Sequence, residues 1–392
     1  MSNGGAGNAG GTANVGGTTT ATMGGSGDGG GTNPVCQMAS YKFEPKIPTV
    51  FMLVDQSGSM WGCRASNGTK DPTGRECANK ADTSWYPLRD GVLKVVEELE
   101  KDVRFGFSAF TGETADAQCP VMQPVAPDFN NYMAIAANYN GLKAPAKGET
   151  PTTKALAQVG ALLEADKSPG DKFILFVTDG QPDYCDDSNN LCPPDSVVGA
   201  LQTLAAKNIK TLVFGISSPL TTISDSVLLA FANAGAGQPV VTPGTTRATD
   251  FYDQCNGIAG WRADFMATAK PAERGQTIGT YSEMNGTAKV YKPDTTNQAA
   301  LVTELKAAIS SAKSCSFDLS NVNGQSIKVD LNQLDAASIA IQGKKIALDE
   351  ANGWSMASAT ELVLKGTACE TWRSPDNNDI DFNFPCKAII FE

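Results

Sequence analysis

Apolar and polar positions follow two rhythms that alternate along most of the chain. Short, nearly unbroken apolar runs at Thr49–Asp55, Val103–Phe110, Lys172–Asp179 and Ile209–Ser217 read as strands buried on both faces. Between them, apolar residues recur every three or four positions. Leu88, Val92, Val95, Val96 and Leu99 share one helical face, and Leu156, Val159, Leu162 and Leu163 share another. Val197, Val198, Leu201 and Leu204 form a third, and Leu301, Leu305 and Ile309 a fourth. Strands alternating with helices predict right-handed crossovers and a mostly parallel sheet covered on both sides, an α/β fold. Cys119–Val125, reached from Phe110 by a short polar turn, reads as an antiparallel edge strand.

The rhythm fails in three places. Residues 1–35 are rich in Gly, Ala, Asn, Thr and Ser without apolar periodicity, the composition of a flexible tether. Residues 238–286 make an unusually long connection within the α/β domain, which is expected to span 36–313. After Lys313 come short strands, Cys315–Leu319, Ser326–Leu331, Ser338–Leu348, Glu361–Lys365 and Ile380–Phe384, punctuated by Asn323-Gly324, Gly343 and Asn352-Gly353. Residues 314–392 therefore read as a small, mainly β C-terminal domain.

Composition narrows the function. The 392 residues carry a formal charge of −11, which argues against nucleic acid and against an anionic membrane surface as partners. Histidine is absent, so no imidazole base and no His-ligated zinc site is available. No apolar run is long enough to span a bilayer. Ten dispersed cysteines predict disulfides in an oxidising compartment, outside the cell or on its outer surface. Thiolate-bound zinc is the competing reading, although no C-x-x-C pair occurs. Met1-Ser-Asn-Gly-Gly has neither the basic start nor the apolar core of a signal peptide, so any leader is expected upstream or already removed.

The chemistry gathers at three strand or helix ends. Asp55, Ser57 and Ser59 follow the first strand, Thr150 precedes a helix, and Asp179 ends the third apolar run. Taken singly, Asp55 and Asp179 are ordinary turn formers and Thr150 an ordinary helix cap. If the strands beginning at Thr49 and Lys172 are neighbours, however, their carboxyl ends flank the topological switch point, where ligands bind in open α/β sheets. Two carboxylates and three hydroxyls would converge there. These are hard oxygen donors, suited to Mg²⁺, or to Mn²⁺ or Ca²⁺, and poor for zinc or copper. Neutral donors leave the ion with positive charge and an open position, which a partner's carboxylate would fill.

Asp55-x-Ser57-x-Ser59, Thr150 and Asp179, in that order on those elements, resemble the metal-ion-dependent adhesion site of von Willebrand factor A domains. The resemblance spans Pro48 to about Lys313. It implies a doubly wound, six-stranded Rossmann-like sheet without enzymatic activity, and a metal-dependent protein or extracellular-matrix partner presenting a carboxylate. The tether, the cysteines and the β-rich tail are similar to those of surface lipoproteins of Gram-negative bacteria that carry this domain, which implies a lipid anchor upstream of the tether. The alternative role is a structural subunit of a surface assembly, a pilus or motility complex, locked through the metal.

Other readings attach to the same rim. Cys63 pairs with Cys77, and Cys185 with Cys192, as local staples of two loops. Cys315 is expected to pair with Cys386 rather than Cys369. The 238–286 segment is expected to lie away from the ion. Asp183, Asp186, Asp187 and Asn189 form a weaker candidate cation site, and Trp61 is either a recognition aromatic or core packing. Glu149 either faces solvent or competes with a partner's acid for the ion.

Overall fold

In the computed structural model, which describes residues 38–41, 47–112, 119–146, 148–183, 193–216, 223–241, 279–322, 325–374 and 379–391, a short strand β1 (Met38–Tyr41) precedes the long alternation of strand and helix. The apolar run Thr49–Asp55 is β2, followed by a single turn α1 (Gly58–Trp61) and the helix α2 (Trp85–Leu99). Next come β3 (Arg104–Thr111), the short β4 (Val121–Met122) and β5 (Val125–Asp128), and α3 (Tyr132–Gly141). The alternation continues through α4 (Thr152–Ala165), β6 (Lys172–Thr178), α5 (Pro193–Ala206), β7 (Ile209–Gly215), α6 (Asp225–Gly235) and β8 (Val290–Tyr291). A helix over Gln298–Ser311 closes the series.

These strands form one seven-stranded sheet in the order β4-β3-β2-β6-β7-β8, with β5 also paired to β3. The β3-β2-β6-β7-β8 pairs are all parallel, whereas β4 and β5 run antiparallel to β3. The edge strand expected at Cys119–Val125 is thus two short strands. Pleating turns alternate residues of β2 to opposite layers. Val50, Met52 and Val54 pack with α2, α3 and the Gln298–Ser311 helix; Phe51 and Leu53 pack with α4, α5 and α6. Leu162 departs from its expected face and is exposed, because six residues after Leu156 it has rotated off the Leu156–Val159–Leu163 stripe.

From β2 the chain crosses to β3 on one side, then returns past β2 to β6 on the other. The two neighbours of β2 therefore leave in opposite directions, and the carboxyl ends of β2 and β6 open a crevice. This is the doubly wound α/β arrangement expected from the pattern.

A second unit holds the C-terminal strands: β9 (Ser316–Asp318), β10 (Asn321–Val322), β11 (Gln325–Val329), β12 (Ser338–Ile341), β13 (Lys344–Ile346), β14 (Trp354–Ser358), β15 (Glu361–Leu364), β16 (Ile380–Pro385) and β17 (Ile389–Phe391). They form three small sheets, ordered β1-β16-β12-β13, β10-β11-β17 and β14-β15-β9, every pair antiparallel. The expected single run Ser338–Leu348 is instead the hairpin β12–β13, turning at Gln342-Gly343, both at positive φ. Phe317, Trp354, Leu362, Trp372, Phe382 and Phe384 fill this unit's core.

Two expectations need correction. β1, assigned by sequence to the α/β domain beginning at residue 36, pairs with β16, from Met38 opposite Pro385 to Tyr41 opposite Phe382. Cys315 is bonded to Cys369, not Cys386, with Cα atoms 5.6 Å apart. Cys315 lies beside β9, which pairs with β15, and the short Gly366–Trp372 helix directly after β15 brings Cys369 back. β16 instead pairs with β1 and β12. The described end of the long 238–286 connection returns along α5: the Gly279 N–H and the Tyr281 hydroxyl donate to Asp195, at 3.2 and 2.6 Å, and the Ser282 N–H donates to the Val240 carbonyl at 2.8 Å. Residues 242–278 of the connection, the 1–35 tether, and Cys185 and Cys192 lie outside the described residues.

The expected Cys63–Cys77 bond is present, with Cα atoms 4.8 Å apart, and Cys119 and Cys386 are also disulfide-bonded. Among the described residues no helix is long and apolar enough to cross a membrane.

Candidate metal centre

Asp55 is the last residue of β2 and is fully buried. An apolar strand that ends in a buried acid must satisfy that acid locally. One carboxylate oxygen accepts from the Ser57 N–H at 2.7 Å, closing a turn two residues on, and the other accepts from the Thr178 hydroxyl at 2.8 Å. Thr178 is the last residue of β6, the strand beside β2, so the parallel pairing itself delivers this donor. Burial holds the Asp55 carboxyl above its ordinary range, with the Ser57 and Thr178 hydrogen bonds pulling it back down.

The hydroxyls continue the chain of contacts. Ser57 Oγ lies 3.0 Å from Ser59 Oγ, and the Ser59 hydroxyl donates to Asp179 at 2.7 Å. Asp179, directly after β6, is fully buried as well. Four of the sequence-derived residues therefore form one connected polar cluster spanning the β2–β6 crevice, with half-buried Ser59 beside exposed Gly58 on its solvent side.

Thr150 stands on the adjoining loop and is buried, 7% exposed. Its carbonyl accepts from Thr152 and Asp183 N–H groups, at 2.7 and 2.9 Å. Its hydroxyl makes no direct hydrogen bond to the other four among the described residues. What brings the loop in is Gly148: a Cβ there would meet the Gly58 nitrogen and lie 2.8 Å from the Gly58 Cα. On the other side, Glu149 forms a backbone bridge with Gly112, whose N–H donates to the Glu149 carbonyl at 2.9 Å. Glu149 is half-buried, with its Cβ and Cγ over Gly112.

Sequence reading missed Thr178, Gly148 and Gln56. Gln56, between two candidate ligands, donates its backbone N–H to the Phe110 carbonyl and its side-chain amide to the Lys143 carbonyl, both at 2.8 Å. The available signals were faint: a hydroxyl beside a strand-end acid, and a glycine two residues before a threonine. Trp61 is packing, 1% exposed and stacked on Trp85 at 4.3 Å between ring centroids. Of the acidic loop, only Asp183 is described; Asp186, Asp187 and Asn189 are not.

The donor set is all oxygen. Two fully buried carboxylates at the ends of adjacent strands are costly together. A hard divalent cation is the counter-charge that such a cluster fits.

No protein-family model and no curated protein matches the sequence. Solved structures do resemble the fold. The pilus adhesin SpaC from Lactobacillus rhamnosus GG aligns at 12% identity and a TM-score of 0.43, over 92% of this chain and 42% of its own. This chain thus spans less than half the length of that adhesin. The SpRpn10 VWA domain aligns at 13% identity and a TM-score of 0.33, over 53% of this chain and 95% of its own. Proximal thread matrix protein 1 from the mussel byssus, with a zinc-occupied MIDAS motif, aligns at 15% identity and a TM-score of 0.34, over 51% of this chain and 42% of its own.

Proposed function

We propose that this protein is a non-enzymatic, metal-dependent binding module of the cell surface or extracellular space. Asp55, Ser57, Ser59, Thr150 and Asp179 would hold a divalent cation, Mg²⁺ or in its place Mn²⁺ or Ca²⁺. The ion would complete its coordination with a carboxylate from a protein or matrix partner. The observation that carries this reading is the cluster itself: two fully buried acids at the ends of neighbouring parallel strands, joined through Ser57 and Ser59. Five protein donors leave one position of a six-coordinate ion open, and a partner's carboxylate is a hard oxygen ligand suited to it. Disulfide-bonded cysteines agree with an oxidising location.

Calorimetric Mg²⁺ titration tests the proposal. Wild-type protein should bind one ion per chain, and Asp55→Ala should lose that binding while keeping its circular dichroism spectrum. The apolar residues of β2, rather than its terminal acid, supply the packing. A variant that binds Mg²⁺ like wild type would refute the proposal.

A further inference from the structure

Beside the metal cluster, on the β3 side, lies a cleft of about 420 Å³ between β4 and α3. Val121 and Met122 line it from the strand, Ala137 and Leu142 from the helix and its C-cap, and Gln56 and Lys143 from the end that adjoins the candidate ion loop. Two hydrogen bonds tie it to that loop system. The Gln56 amide, one residue from Asp55 and from Ser57, holds the Lys143 carbonyl. The hydroxyl of Thr111, another lining residue, donates at 3.4 Å to the carbonyl of Glu149, which precedes Thr150.

The walls are mixed, with polar Gln123 and Asn138 among apolar Val121, Met122 and Leu142, and the volume lies in the range of ligand sites. We propose that this cleft is a second subsite of the metal rim, taking an aliphatic or thioether side chain one to three residues away from the acid that a peptide partner presents to the ion. The inference rests on the metal-dependent reading above. Three observations select an acidic peptide as the occupant. Gln56 is shared by cleft and ion loop, so a chain anchored by an acid on the ion passes the cleft within a few residues, each extending it by about 3.3 Å. β4, two residues long, is the outermost strand of the sheet order on that side among the described residues, which sets main-chain groups of a sheet edge beside the cleft for an extended peptide. Exposed Lys143, in a chain of net charge −11, places a positive charge at the cleft, where acidic flanking residues would gain.

The test uses N-acetylated, C-amidated peptides: Gly-Asp-Gly-Gly (acid only), Gly-Asp-Leu-Gly, Gly-Asp-Gly-Leu and Leu-Gly-Asp-Gly (acid with leucine in three registers), and Gly-Ala-Gly-Leu (leucine only). Each is titrated into methyl-labelled full-length protein with Mg²⁺ or with chelator, following the Met122 and Leu142 methyl resonances. In Mg²⁺, at least one Asp/Leu peptide should bind about tenfold tighter than the acid-only peptide, as expected for burying most of a leucine side chain, and should shift both methyls. Ala137→Leu, at an exposed helical position, should remove that gain and leave Mg²⁺ affinity and acid-only binding unchanged. Equal, Mg²⁺-dependent binding of acid-only and Asp/Leu peptides, with both methyls unmoved, would overturn the subsite and leave the metal reading standing. Leucine peptides that shift the methyls equally in chelator would overturn the link to the ion. No Mg²⁺-dependent binding by any peptide would overturn both.

Discussion

Gly148 carries no functional group, yet it decides where Thr150 stands. Because a Cβ there would collide with Gly58, Gly148→Ala must push the Thr150 loop away from Ser57 and Ser59. The expected result is Mg²⁺ affinity lowered about tenfold, some 1.4 kcal/mol, with the fold retained, read by calorimetry. Thr178→Val should also weaken the ion, since it removes the hydroxyl that orients Asp55 without changing side-chain shape. At this scale the sequence was legible wherever chemistry and strand end coincided. Asp55 and Asp179 stop apolar runs, and nothing in a core strand otherwise calls for an acid there. Thr178 was hidden because threonine is an ordinary strand residue, and Gly148 because a close backbone approach leaves no mark in composition.

Two elements respond to pH in opposite directions. At the end of α4, Asp166 accepts from Arg104, which also donates to Thr49 and to the Pro127 carbonyl. Partial burial alone would raise the Asp166 carboxyl, but hydrogen bonds from Arg104 and Ser168 outweigh it and bring the group down to about 2. Its stabilisation is present above the unfolded value near 3.8 and is lost as pH falls through about 2. In the first turn of α5, burial pushes Asp195 up to about 6 despite its bonds from Tyr281 and Gly279. This acid costs stability above about pH 6, and the cost fades as pH falls towards 3.8. Asp166→Asn should therefore destabilise by about 2 kcal/mol at pH 7 and be neutral near pH 2. Asp195→Asn should stabilise by roughly 1–3 kcal/mol at pH 7 and lose that gain near pH 4. Denaturant melts across this range check both. Element identity was the most legible layer, since the periods of buried strand and amphipathic helix differ so plainly. The 338–348 run misled because its turn is only two residues long.

The whole molecule is where local reading runs out. β1 is a four-residue strand whose partner, β16, lies at the far end of the sequence, and no local period announces such a pairing. The Cys315–Cys369 bond was misjudged for the same reason: antiparallel neighbours were guessed before the strand order was known. The cysteine framework contributes at this scale too. Replacing Cys63 and Cys77 together by Ser should lower unfolding free energy by about 2–4 kcal/mol, measured by denaturant titration, because the bond closes a loop of 14 positions.

The β1–β16 pair also sets an order of events during synthesis. β1 leaves the ribosome before any residue of the seven-stranded sheet, whereas β16 leaves after all of them. The seven-stranded sheet can close while β1 is still waiting for its neighbour, so the second unit is completed only when nearly the whole polypeptide has been made. A nascent chain arrested before Ile380 would carry a finished seven-stranded sheet and an unfinished second unit. A version that starts at Pro48 would leave the β1 side of β16 uncovered, an invitation to pair with another copy.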